Sequence, residues 1–186
     1  MTEKNILKPD IGLDEEVMTS VVKVLQTVLS DEMVLYVKLR NYHWNVTGQT
    51  FSVLHALFEQ QYTQLEATID EIAERIRMYG ANALGSMSAF IKAARLKEGD
   101  DSLPDVVGMV KNLLQDHEAM VKNLRNDVET MDELDDVGAE DLLTGLLQEH
   151  QKMAWFLRTY LERLEPHLRG HDVSCPYIRS NIQIYL

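Results

Sequence analysis

The sequence predicts an all-α protein: a four-helix bundle of long helices, with a long central connection that carries a short extra helix. Apolar residues recur at three- and four-residue steps rather than alternately, which is the helical period. Only four prolines and nine glycines punctuate 186 residues, so the periodic segments run long. With 45% hydrophobic residues the chain can fill one core, and nothing in its composition suggests disorder.

The first helix is predicted from about Asp14 to Asn45, with Val17, Val21, Val24, Leu25, Val28, Met33, Leu35, Leu39 and Tyr42 on its buried side. Thr47 and Gly48 break it. A second helix starts near Thr50, a residue type suited to the N-cap, and runs through Leu54, Leu57, Phe58, Leu65, Ile69, Ile72 and Ile76 to a stop at Gly80. Ser86 to Leu96 reads as a short amphipathic helix inside the connection. Pro104 opens the third long helix, which fades in the acidic turn around Asp132 to Asp136, and Gly138 to Leu164 forms the fourth. Residues 1–13 are an extension, 14–165 the bundle domain and 166–186 a tail without helical period, ending in an alternating Ile182 to Leu186 that suits a strand or a docking arm.

Composition narrows the function. Eighteen basic against thirty acidic residues give a formal charge of -12, a field that repels nucleic acid and anionic membranes and concentrates cations. No charged-then-apolar leader opens the chain and no apolar run reaches membrane-spanning length, so a soluble, cytoplasmic protein is expected. A single cysteine, Cys175, cannot form an internal disulfide, which fits a reducing compartment.

Five residues stand out as metal ligands: His43, His55, Glu59, Asp70 and Glu74. At about 100° per residue, His55, Glu59, Asp70 and Glu74 fall at roughly 0°, 40°, 60° and 100°, on one face of the second helix. Along the axis, however, His55 and Asp70 are about 22 Å apart, far more than the ligands of one ion can be. Two copies of the helix packed antiparallel across a two-fold axis near Tyr62 to Glu66 resolve this, laying His55 and Glu59 of one chain beside Asp70 and Glu74 of the other. A short turn would bring His43 back beside His55. Taken singly, the carboxylates read as a solvated face, His43 as a helix-end histidine and Trp44 as core or interface packing. The combination and its spacing point to a two-fold iron site of mixed nitrogen and oxygen ligands.

Those residues also carry a resemblance. His43-Trp44-Asn45-Val46-Thr47-Gly48, with Leu54-His55 and Glu59, resembles one signature of the Dps proteins, the miniferritins; Ile69-Asp70-Glu71-Ile72-Ala73-Glu74-Arg75-Ile76-Arg77 resembles the second. The resemblance spans about residues 14–165 and implies a ferritin-like subunit of a hollow dodecamer built from two-fold dimers. It implies a ferroxidase that oxidises Fe(II) at inter-subunit dinuclear sites, preferring hydrogen peroxide to oxygen, and stores the ferric mineral as protection against oxidative stress. It assigns His43, His55 and Glu59 to one subunit's half-site, Asp70 and Glu74 to its mate's, and to Trp44 the interception of oxidising equivalents. The sequence departs from the family where Glu59 replaces a more common Asp, and at Tyr79 and Ala83, where an aliphatic residue and a proline are usual.

Other residues read less sharply. Asp127, Glu129, Asp132, Glu133, Asp135, Asp136, Glu140 and Asp141 form either a solvated turn or, by the resemblance, the lining of three-fold iron entry pores. His117 and His150 fall in the apolar rhythm of their helices and read as satisfied core histidines. No histidine has Glu or Asp three residues before it, so the Glu-x-x-His motif of an intra-subunit di-iron bundle is absent. His167, His171 and Cys175, with Asp172, could hold a second metal, although Pro166, Gly170 and Pro176 disfavour a helical presentation. Lys4 and Lys8 are balanced by Glu3 and Asp10, and Arg169 and Arg179 are isolated, so DNA binding is expected to be weak or absent. The competing function is a non-enzymatic, acidic adhesin-type relative whose stripe is only a polar dimer seam.

Overall fold

The computed structural model describes residues 8–99 and 102–164; the tail, with the metal set expected at His167, His171 and Cys175, lies outside the described residues. Five helices follow in order: α1 (Glu15–Asn45), α2 (Phe51–Met78), α3 (Met87–Ala93), α4 (Val106–Glu133) and α5 (Val137–Leu164). α1 packs against α2 and α4 against α5 as hairpins, α1 also meets α4, and the short α3 lies on α1. The shared interior is filled by Leu25, Leu35, Leu39, Leu54, Phe58, Ile72, Leu113, Met120, Leu124, Leu143 and Leu157, all essentially inaccessible. This is the predicted all-α, ferritin-like bundle, and no described helix is long and apolar enough to cross a membrane.

Helix ends differ from expectation in small, physical ways. Thr50 occupies the N-cap of α2, but its side chain makes no capping bond. α4 begins at Val106 rather than at Pro104, because Asp105 caps it by accepting from the Gly108 N–H at 2.7 Å. α3 is shorter than Ser86 to Leu96: Ser86 is its N-cap and it ends at Ala93. Gly80 does end α2, with φ at +79°, and a Cβ there would come within 2.9 Å of the Pro9 ring. Glycine therefore serves both the left-handed turn and the close approach of the N-terminal segment.

The long connection is tied down by side chains of α1. Gln26 bonds the Asn82 carbonyl (2.7 Å) and the Leu84 N–H (2.9 Å), and Lys38 reaches the Lys97 carbonyl (2.9 Å) and Asp116 (2.6 Å). Between them Asp31, fully buried, accepts from the Arg95 and Leu96 N–H groups at 2.6 and 2.9 Å and from Arg95 Nε at 2.8 Å. The same guanidinium makes a two-pronged bond to Asp127 on α4, 2.9 Å on each side. Arg95 thus locks α1, the connection and α4 together.

Two members of the acidic cluster need correction in this light. Asp127 is buried and paired with Arg95, and Asp136 is buried between the Tyr79 hydroxyl (2.5 Å) and the Ala139 N–H (3.0 Å), where it caps α5. Neither is a solvated turn residue. Both perform structural tasks that a carboxylate performs well in a low-dielectric setting.

Candidate metal site at the α1–α2 turn

The last turn of α1 and the first turn of α2 face each other across a five-residue bend, Val46 to Thr50. His43 and His55 meet there with rings stacked 3.7 Å apart and 25° from parallel. Their hydrogen bonds are reciprocal: His43 Nδ1 lies 2.9 Å from the His55 carbonyl, and His55 Nδ1 lies 3.0 Å from the His43 carbonyl. A carbonyl only accepts, so each Nδ1 carries the proton and donates. In the neutral rings both Nε2 atoms are therefore bare lone pairs, the form in which imidazole binds a metal, with an outer hydrogen bond fixing each ring.

Glu59 lies one turn along α2 from His55 and completes the cluster. One donor atom from each of His43, His55 and Glu59 falls within 4.8 Å of the others, the single such group of three found among the described residues. Burial grades across it: His43 is 7% exposed, His55 half-buried and Glu59 open to solvent. The donor set, two imidazoles and a carboxylate, suits ferrous iron and zinc alike. Asp70 and Glu74 are exposed further along α2 and are not part of the group within this chain. A cluster of three protein ligands leaves one side open to a further ligand.

Aromatic residues wall the cluster. Tyr62 meets the His43 ring edge-on at 5.1 Å and Phe51 lies 5.0 Å from His55. Trp44 is 63% exposed, so the core-packing reading fails for it; instead the Arg40 guanidinium sits over its ring at 5.1 Å and over Tyr62 at 4.5 Å. Arg40 was not singled out from the sequence, and Tyr62 entered there only as a marker of the two-fold axis. Arg40 had a legible signal, since it lies one helical turn before Trp44.

His117 and His150 are core residues, as expected, but they are not simply satisfied. His117 Nδ1 and His150 Nδ1 are 2.8 Å apart, and His150 Nε2 is 2.8 Å from Glu32 Oε1 on α1. His117 Nε2 and Glu32 Oε2, at the two ends of this row, have no hydrogen-bond partner. Each such orphan costs about 1–3 kcal/mol. Burial, reinforced by His150, holds the His117 pKa well below the usual imidazole value, so this ring is neutral at physiological pH. Glu32 was missed in the sequence, although it stands where a core apolar residue belongs, between Val28 and Leu35.

Comparison with known proteins agrees with this fold. The ferritin-like domain family matches residues 22–166. A low-temperature-induced protein from Nostoc sp. is 45% identical over 154 residues, 82% of this chain and 86% of its own length. The DNA protection during starvation protein 2 of Bacillus anthracis is 36% identical, over 77% of this chain and 97% of its own. Among solved structures, Dps from Vibrio cholerae O1, described as a member of a broad superfamily of ferritin-like diiron-carboxylate proteins, superposes with a TM-score of 0.78 at 33% identity, covering 86% of this chain and 99% of that one.

Proposed function

Because this chain belongs to the Dps family of ferritin-like proteins, we propose that it oxidises Fe(II) with hydrogen peroxide, preferred over oxygen, and stores the ferric product. Family membership supports iron storage and protection in general. The observation that carries the specific reading is the reciprocal bonding of His43 and His55, which bares two adjacent Nε2 atoms beside Glu59. His43, His55 and Glu59 hold one ferrous ion; Asp70 and Glu74 of a two-fold-related copy close the site and share a second ion. The carboxylates' shared helix face and their distance from the histidines support this division, since no single copy joins the two sets. Dimers of this kind then build a hollow dodecamer.

The reaction is a paired electron transfer. Two ferrous ions and one peroxide, with two protons, give two ferric ions and two waters, so the O–O bond breaks without a one-electron product escaping. The chain's part is to hold the substrate ions together: neutral imidazoles bind without losing an Nδ1 proton, and the carboxylates offset the growing positive charge. Trp44, exposed beside the cluster and stacked on Arg40, is placed to intercept stray oxidising equivalents.

Adding Fe(II) to the protein without oxygen and then peroxide is expected to give ferric absorbance at two iron per peroxide. If peroxide produces no ferric signal beyond that of iron in buffer, the enzymatic reading fails and the adhesin-type reading takes its place.

DNA binding is proposed to be weak or absent. Lys8 is already paired with Glu15 at 2.7 Å, and the net charge of -12 opposes phosphate. A gel shift at low salt should show free DNA; a tight complex would overturn this.

A further inference from the structure

The bundle is open along one side. The helices that pack closely are α1 with α2, α4 with α5 and α1 with α4, with α3 laid on α1; α2 and α5 are not among these pairs. Between α2 and α5 runs a groove made of two adjoining hollows of about 350 and 520 Å³, which share Leu57, Gln60 and Phe156. Along α5 it extends from Gly145 to Tyr160, about 22 Å at the helical rise. Gly145 leaves its wall bare, with nothing within 4 Å of where a Cβ would stand.

The lining of this groove is chemically distinct from the acidic surface. Val53, Trp155 and Phe156 are 61, 57 and 43% exposed, and the two rings of the pair lie 5.0 Å apart. Large apolar side chains gathered in one exposed place mark a contact surface. The polar groups beside them are mostly neutral amides, Gln60, Gln64 and Gln148. Gln61 and Tyr160 also border the groove, and the Gln61 amide and the Tyr160 hydroxyl have no hydrogen-bond partner among the described residues. Apolar ground edged with amides suits an extended peptide: alternate side chains face down, and backbone N–H and C=O groups that have no sheet to join find donors and acceptors at the rim.

We propose that the groove is the seat of the chain's own segment Ile182 to Leu186. Ile182, Ile184 and Leu186 alternate with Gln183 and Tyr185, so an extended backbone sets three aliphatic side chains on one side. Five such residues cover about 17 Å, within the length of the groove. Charge favours the approach, because residues 173–186 carry Arg179 and no acidic residue whereas the whole chain stands at -12. The connection is long enough and starts in the right place. Tyr160 lines one end of the groove and α5 closes one turn later at Leu164. Residues 165–181 can span up to about 55 Å when extended, ample for the chain to turn back over α5. A tether of that kind holds the segment near its own groove at a roughly millimolar effective concentration, which a separate partner would have to outcompete.

The test reads Trp155 in the full chain carrying Trp44→Phe, which leaves it as the single tryptophan. Trp155 is expected to be shielded from acrylamide and to emit to the blue of an exposed indole. Adding Ile182→Asp and Ile184→Asp should raise the quenching constant severalfold and shift the emission to the red, with the far-ultraviolet circular dichroism unchanged. A Trp155 as open in the parent as in the variant overturns the proposal. So does a Trp155 that stays shielded in the variant, because another surface, a second copy included, then covers the groove. A cross-link gives an independent answer: in the full chain with Cys175→Ser, Gln60→Cys is combined with Gln183→Cys or with Ile184→Cys and oxidised. A disulfide-linked product that migrates as one chain on a non-reducing denaturing gel supports the seat, whereas links only between chains, or none, reject it.

Discussion

Replacing His43 by alanine is expected to lower peroxide-driven iron oxidation by about two orders of magnitude or more, because loss of an outer hydrogen bond alone costs metal sites 10–100-fold and this change removes a proposed ligand itself. The same substitution deletes the donor to the His55 carbonyl and the stacked partner of the His55 ring, so the second imidazole loses its orientation as well. Far-ultraviolet circular dichroism should be unchanged, since the cluster lies at the end of α1 rather than in the bundle interior. Asp70→Ala should be similarly inactive. When the two variants are refolded together in equal amounts, random two-fold pairing leaves about a quarter of the sites with a complete ligand set, and about a quarter of the activity should return. Stopped-flow ferric absorbance measures both results; a mixture as inactive as its components would sink the shared site while leaving a ferroxidase of another geometry open to test.

Arg95→Leu is expected to cost about 3–5 kcal/mol at neutral pH, the usual penalty for removing one partner of a buried ionic cluster. Asp31 and Asp127 would be left facing each other's charge in the interior. The pH dependence follows from Asp127. Burial pushes its carboxyl above the ordinary carboxylate value, and Arg95 offsets only part of that. A folded-state pKa above the unfolded one means that the native form holds the proton more tightly, so this group favours folding more as pH falls through the window between the two values. Without Arg95 the folded pKa rises further and the window widens. The deficit of the variant, read from urea unfolding, should accordingly be largest near pH 7.5 and shrink toward pH 5; a deficit of the same size at both would show that lost packing, not stranded charge, is what Arg95 prevents.

Elements set by local periodicity were legible in the sequence, and those set by distant pairs were not. α1, α2, α4 and α5 follow from apolar spacing because a helix forms its hydrogen bonds within itself. The ends were less legible: Asp105 rather than Pro104 fixes the start of α4, since a side-chain bond to an N–H three residues on is stronger than a ring's bias toward φ. The ligand cluster was visible in the types and spacing of His43, His55 and Glu59, but the exchange of bonds between the two histidines depends on how the bend at Gly48 aims two carbonyls. Arg95 joins residues 64 and 32 positions away, so no window along the chain reveals it. Asp127 and Asp136 looked like surface charge because composition records a carboxylate without recording its partner. Glu32, by contrast, was readable: an acid on the apolar stripe of a core helix asks for a partner, and His150 is that partner.

The bend that brings His43 to His55 also bears on the order of events in the cell. The two residues are only twelve positions apart, so closing this contact costs little chain entropy and can be completed while one hairpin of the bundle forms. If the proposed shared site holds, metal capture by the half-site would be a property of the newly folded subunit, whereas oxidation would wait for a second subunit. A monomer would act as a carrier of ferrous iron and only the assembled protein as a consumer of it, so that subunit concentration, through the pairing equilibrium, sets when bound iron is committed to the mineral.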